Sequence, residues 1–114
     1  MYQSAEGVCQ VGDFIDQSPE ADQRKILVTL GHIDVHRGLV KNKEKFKVLE
    51  GQKGGGRDQF YEVKVHQIRI ASVFEPGGRL ILLYAFKKKG EAWPKRELEK
   101  LHHVYNTFDA ERRR

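Results

Sequence analysis

Three apolar segments in the second half of the sequence decide the predicted fold: Phe60–Val65 (FYEVKV), Ile68–Phe74 (IRIASVF) and Leu80–Phe86 (LILLYAF). The first alternates apolar and charged side chains, which is the period of a half-buried strand. His66-Gln67 is long enough only for a tight connection, and Pro76-Gly77-Gly78 is a strong turn signal. The sequence therefore predicts an antiparallel meander, with its last, almost continuously apolar strand in the centre and covered on both sides.

The second segment assigns its residues to two faces. One face should carry Ile68, Ile70 and Phe74, and the other should carry Arg69, Ala71 and Val73. Upstream, Phe46, Val48 and Leu49 begin a further strand-like segment, while Gly51 to Asp58 (GQKGGGRD) is predicted to be a loop. The sheet should therefore have three or four strands.

Helical spacing appears on both sides of these strands. Ser18 and Pro19 suit an N-cap and first helical position, and Gly38 is a natural stop. Between them Ile26, Leu27, Leu30 and Ile33 form an apolar stripe, after a short turn containing Val11, Phe14 and Ile15. The last helix should have Pro94 in its first turn and an apolar stripe of Leu98, Leu101, Tyr105 and Phe108. The predicted fold class is α+β: N-terminal helices, an antiparallel sheet of three to four strands, and a C-terminal helix.

The length of 114 residues suits one domain over residues 1–114. Residues 1–11 are predicted to be a short first strand or disordered, and residues 111–114 a basic tail. No apolar run approaches the roughly 18 residues of a membrane helix, and the N-terminus lacks the pattern of a secretory signal. Because the single Cys9 excludes an internal disulfide, the cytoplasm is the expected location.

The net charge of +5 is unevenly distributed. Residues 1–50 hold seven Lys and Arg against eight Asp and Glu, whereas residues 51–114 hold fourteen against eight. All of the excess positive charge therefore lies in the second half, where it would attract polyanions or simply keep the surface solvated.

The sequence offers little for metal, thiol or nucleotide chemistry. His32 and His36 are four residues apart on a predicted helix, but the His-Glu-x-x-His pattern is absent. Cys9 lies in a polar stretch, and the Lys53–Arg57 segment lacks the Gly-Lys-Ser/Thr ending of a phosphate-binding loop. No metal or other cofactor is therefore expected.

A cationic group on the sheet remains as the candidate site. Lys64 and Arg69 flank the tight connection, and Lys87, Lys88 and Lys89 leave the third segment. Cations gathered there could clamp a phosphate, stabilise a phosphorane and exchange protons, which is what RNA cleavage through the 2′-hydroxyl requires. The alternative is a structural Arg69 paired with Glu62, beside lysines that only solvate the edge.

The order of these residues resembles a known family. Phe60–Val65, Arg69-Ile70, Leu82–Lys88 and Pro94–Leu98 follow one another as in the phage Gp49-like/HigB branch of the RelE/ParE toxin superfamily. Val48–Gly51 and the helical region from Phe14 to Gly38 are also similar, so that about 100 of the 114 residues are covered. The chain departs from the family's pattern at Lys64 (usually Arg), at Ile68 (commonly Tyr) and in a first strand that is short or missing.

The resemblance implies a toxin of a type II toxin–antitoxin pair that cleaves mRNA without a metal, usually on the ribosome, and has a helix-turn-helix antitoxin as its partner. It implies catalytic roles for Arg69, Lys64 and Lys88. Predicted RNA contacts are Lys87, Lys89, Lys53, Arg57, Tyr61 and Tyr84. A gyrase inhibitor of the ParE type, or a non-enzymatic nucleic-acid-binding protein of the same fold, remains the alternative.

Overall fold

The structure, a computed structural model, describes residues 1–36, 46–54, 58–75, 79–88 and 93–113, without the side chains of residues 32–36, 50–54 and 58. The elements occur in the order α1 (Gln10–Gln17), α2 (Glu20–His36), β1 (Phe46–Gly54), β2 (Asp58–Val65), β3 (Ile68–Phe74), β4 (Leu80–Lys87) and α3 (Lys95–Arg112). The strands form one antiparallel sheet in the order β1-β2-β3-β4. This confirms the predicted α+β arrangement.

The sheet is covered on both faces, and each face has its own core. On one face, α1 and α2 pack through residues such as Val11 and Ile26 against Val63 and Ile70, all four fully buried. On the other, α3 contributes its predicted stripe of Leu98, Leu101, Tyr105 and Phe108. The predicted face assignment of β3 is confirmed, because its two sets of apolar residues belong to these two cores.

Several predictions about the strands were wrong. β2 is not half-buried, since α3 covers its charged face and Glu62 is only 3% exposed. The predicted loop from Gly51 to Asp58 is strand at Gly51–Gly54 and Asp58, because β1 continues through a register shift between Val48 and Lys53. β-bulges and irregular pairing tolerate the glycines that suggested a loop.

β4 is an edge strand rather than the central one, although it is covered on both faces as predicted. The Gln10 side chain donates to the Ala85 carbonyl and accepts from its N–H, both at 2.7 Å. The Tyr2 N–H donates to the Leu82 carbonyl at 2.9 Å. The N-terminal residues therefore satisfy backbone groups on the outer edge of β4 that a further strand would otherwise bind.

The helical predictions also need correction. The predicted turn at Val11, Phe14 and Ile15 is the helix α1. The Ser18 hydroxyl donates to the Phe14 carbonyl at 2.8 Å, so it closes α1 rather than capping α2. Leu27, predicted in the core, is 62% exposed, because α2 turns Ile26 and Thr29 towards the sheet. The predicted stop at Gly38 lies outside the described residues.

Candidate functional site

Cationic side chains meet at one end of the sheet, on the face covered by α3. Lys64 and Arg69 are direct register partners across the two-residue turn between β2 and β3. Such partners share a face and have Cβ atoms about 4.5–5.5 Å apart. Arg69 is in turn opposite Phe86 on β4, and the Lys88 N–H just beyond donates to the Gln67 carbonyl at 2.6 Å. We call Lys64, Arg69 and Lys88 the cationic cluster.

Arg69 is buried within this cluster and has several partners. Its side chain is 9% exposed, and its Nε lies 2.8 Å from Glu62 Oε1 in an ion pair without the alignment of a hydrogen bond. Its Nη1 donates to the carbonyls of His66 (2.5 Å) and Ile68 (3.0 Å). His66 has a left-handed φ of 56°, which is strained for a residue with a side chain. The hydrogen bond from Arg69 to the His66 carbonyl therefore stabilises a strained turn. The Arg69–Glu62 pair that the sequence offered as the structural alternative is therefore present.

Glu62 supplies the counter-charge of the cluster. Besides Arg69, it accepts a hydrogen bond at Oε1 from the Trp93 indole N–H (3.3 Å). Its Oε2 lies 3.8 Å from Lys47 Nζ. Since Trp93 also packs edge-on against Phe86 with ring centroids 4.5 Å apart, it joins the segment before α3 to the site. The buried Glu62 carboxylate thus contacts two cations and one indole N–H.

Lys88 and Lys64 complete the cluster without ion pairs among the described residues. Lys88 is only 9% exposed, whereas Lys64 is half-buried. Burial lowers the pKa of Lys88, and the positive charge of Arg69 lowers it further, with smaller opposing and reinforcing effects from Glu62, Lys47 and Lys64. A lysine whose pKa is lowered in this way can exchange a proton closer to neutral pH.

The family described as "Phage derived protein Gp49-like (DUF891)" matches residues 13–106, which includes every element from α2 to β4 and most of α3. The chain belongs to this family. No curated protein matches it significantly. The match agrees with the Gp49-like part of the predicted resemblance, and membership is consistent with a toxin of a toxin–antitoxin pair.

Of the two tyrosines predicted to contact RNA, Tyr84 lies in one core of this Gp49-like chain and Tyr61 packs, partly buried, against the other. Tyr61 is on the opposite face of the sheet from Arg69 and packs against Phe46 and Phe74, with ring centroids 5.4 and 5.0 Å away. Tyr84 is on the Arg69 face but only 6% exposed, and its hydroxyl donates to Glu97. Tyr84 is therefore buried on the Arg69 face, and half-buried Tyr61 lies on the opposite face, so neither belongs to the cationic cluster.

Of the remaining predicted RNA contacts, the structure describes only the side chain of Lys87. Lys87 is exposed at the end of β4 and projects to the face opposite Lys88. The Lys53 side chain, Arg57 and Lys89 lie outside the described residues, as do the side chains of His32 and His36.

The described residues of the Gp49-like chain contain no group of three or more His, Cys, Asp or Glu side chains that could hold a metal ion. No helix in that part of the chain is long and apolar enough to cross a membrane.

Sequence reasoning did not assign Glu62, Trp93 and Lys47 to the site. The Glu62–Arg69 pair was foreseeable as an alternative because both residues lie near the same turn. Lys47 needed the register of β1, which the glycine-rich segment obscures, and Trp93 needed the path of the chain before α3. An isolated tryptophan beside a proline carries no periodic signal.

Proposed function

We propose that this chain is the toxin of a type II toxin–antitoxin pair and that it cleaves RNA without a metal ion. The observation that carries the proposal is the cationic cluster. Lys64, Arg69 and Lys88 share one end of one sheet face, where the Glu62 carboxylate is already engaged by Arg69. Such a cluster retains a net positive charge that attracts a phosphodiester.

The proposed chemistry uses the 2′-hydroxyl of the RNA as nucleophile. A bond forms from the 2′-oxygen to phosphorus while the bond to the 5′-oxygen breaks, which gives a 2′,3′-cyclic phosphate and a 5′-hydroxyl. Arg69 stabilises the charge of the phosphorane. Lys88, with its lowered pKa, exchanges one of the two protons that must move, and Lys64 assists as a charge or as the second proton-transfer group.

The proposal extends to location and partners. The substrate is mRNA, reached in the cytoplasm and on the ribosome, and the activity is silenced by a helix-turn-helix antitoxin. Family membership and the cationic cluster support this assignment.

Lys64→Ala and Lys88→Met test the proposal better than a change at Arg69, which would also break a buried ion pair. Each should lower the cleavage rate by about 10²-fold or more, the typical contribution of a proton-transfer group. Lys100→Ala, a change at an exposed lysine on α3, is the matched control. The assay maps new 5′ ends on a reporter mRNA, with and without a chelator. Full cleavage by both variants, or its loss on chelation, would contradict the proposal.

A second candidate function follows from the burial of Arg69. An arginine side chain that is 9% exposed and already paired with Glu62 and two carbonyls also suits a scaffold that binds without cleaving, such as a gyrase inhibitor. In that case expression would arrest growth and inhibit DNA supercoiling, while the reporter mRNA stayed intact.

A further inference from the structure

A groove of about 430 Å³ lies between α2 and the β2–β3 hairpin, and its rim is cationic. Arg24 and Lys25 line it from α2, and Lys64 and His66 line it from the hairpin. None of the described lining residues is acidic. Arg24 is 3.5 Å from Glu20, but both side chains are more than 70% exposed, so this pair neutralises the rim only weakly.

The same groove has an apolar component. Val28 and Val65 belong to its lining. Val28 and its neighbour Leu27 are each 62% exposed on α2, whereas Ile26, one residue earlier, is completely buried in the core. Val28 therefore places an exposed aliphatic side chain among the cations of the groove, whereas Leu27 lies outside its lining. Exposed apolar surface with a polar rim is typical of a binding site for another protein.

We propose that this groove binds an acidic amphipathic segment of a partner protein. The apolar face of that segment would cover Val28, and its carboxylates would pair with Lys25 and Lys64. This is the helix-in-groove mode of recognition, with charges added at the rim to set orientation.

RNA fits the groove less well. Phosphates would pair with the cations but leave Val28 in water. Sequence-tolerant RNA surfaces bind bases by stacking them on aromatic rings, and the imidazole of His66 is the only ring among the described lining residues. A protein segment uses both the cations and the aliphatic side chains.

Lys64 links the groove, on the α2 side of the sheet, with the cationic cluster on the α3 side, because it belongs to both. An occupant whose carboxylates paired with Lys64 would withdraw this charge from the cluster and weaken its attraction for a phosphodiester. This regulatory consequence rests on the proposed RNA cleavage, whereas the binding site itself depends only on the lining of the groove.

The probe is a synthetic helical peptide with leucines along one face and glutamates along the other, titrated into the full chain. We expect backbone amide shifts in NMR spectra to cluster on α2 near Lys25 and Val28 and on the hairpin near His66. Lys25→Glu and Val28→Asp should each weaken binding by about fivefold or more, as expected for contacts worth over 1 kcal/mol. Val28→Ser provides a milder second variant.

Matched controls change similar residues elsewhere. Lys100→Glu repeats the charge reversal on α3, and Val8→Asp repeats the apolar-to-acid change at a residue that is 57% exposed. Neither should alter the affinity. The same peptide with lysines in place of its glutamates should not bind.

Three results would overturn the inference: no binding of the acidic peptide, equal binding of the lysine peptide, or shifts of these amides by single-stranded RNA instead of the peptide. RNA cleavage is measured on the same variants. Since Val28 lies outside the cationic cluster, Val28→Asp should lose the peptide and keep cleavage. Absence of peptide binding at the groove is thereby distinguished from absence of the proposed RNA cleavage.

Discussion

Replacing Glu62 by Gln should strongly destabilise the protein. The change keeps the size of the side chain and a possible acceptor for Trp93, but it removes the negative charge 2.8 Å from Arg69 Nε. Arg69 is 8% exposed, so its guanidinium cannot regain full hydration without opening the packing of α3 against the sheet. Removing one partner of a buried ion pair costs about 3–5 kcal/mol. We expect a loss near the lower end of that range, because the amide oxygen still offers a dipole.

Urea unfolding followed by circular dichroism gives the free energy directly. Glu20→Gln is the control, since Glu20 pairs with Arg24 at 3.5 Å in solvent and its removal should cost no more than about 0.5 kcal/mol. The double variant Glu62→Leu with Arg69→Met should lose less than the two single changes combined, because it removes both charges together. A loss below about 1 kcal/mol for Glu62→Gln would refute the conclusion that this pair is desolvated.

Three further changes test separate parts of the structure. Gln10→Ala leaves the N–H and carbonyl of Ala85 unsatisfied at the edge of β4 and should cost about 1–3 kcal/mol in urea unfolding. Burial, together with the hydrogen bond to Glu97, raises the pKa of Tyr84. The contribution of Tyr84 to the free energy of unfolding is therefore present below the ordinary tyrosine pKa near 10 and is lost at higher pH. Tyr84→Phe should flatten the fall in this free energy above pH 10. Lys88→Met should raise the free energy of unfolding at neutral pH, whereas Lys87→Met, a change at an exposed lysine, should not. The wild-type free energy of unfolding should rise with pH between the lowered pKa of Lys88 and its ordinary value of 10.5. Equal melting temperatures for the two lysine variants would contradict this assignment.

Much of the fold was predictable because its apolar pattern is strong. The alternation in β3 and the α3 stripe from Leu98 to Phe108 each fix which side chains face a core, and both were right. The errors arose where tertiary context changed a local pattern. The alternation in β2 predicts an exposed Glu62, but the segment packed on that face buries it. Helical spacing predicts a buried Leu27, but α2 packs on the sheet through Ile26 and Thr29 and leaves Leu27 in solvent.

The candidate site was predictable to a smaller extent. A two-residue turn fixes the pairing of Lys64 with Arg69, because residues equally distant from the turn oppose each other. The burial of Arg69 and Lys88 could not be deduced in this way. It depends on Trp93 and α3 closing over the end of the sheet, which involves residues about 30 positions away from Glu62 in the chain.

The cationic cluster is an unfavourable arrangement from the standpoint of stability alone. Lys88 is nearly buried beside a buried arginine, and the Glu62 carboxylate that pairs with Arg69 is shared with Lys47. Apolar residues of similar volume would fill the same space without the cost of desolvating charges. A stable scaffold has no need of Lys88, whereas a site that must stabilise a phosphorane and move a proton does need such a residue. If Lys88→Met raises stability and abolishes cleavage together, the cluster exists for its chemistry; if it raises stability and leaves every activity unchanged, the buried lysine has no part in function.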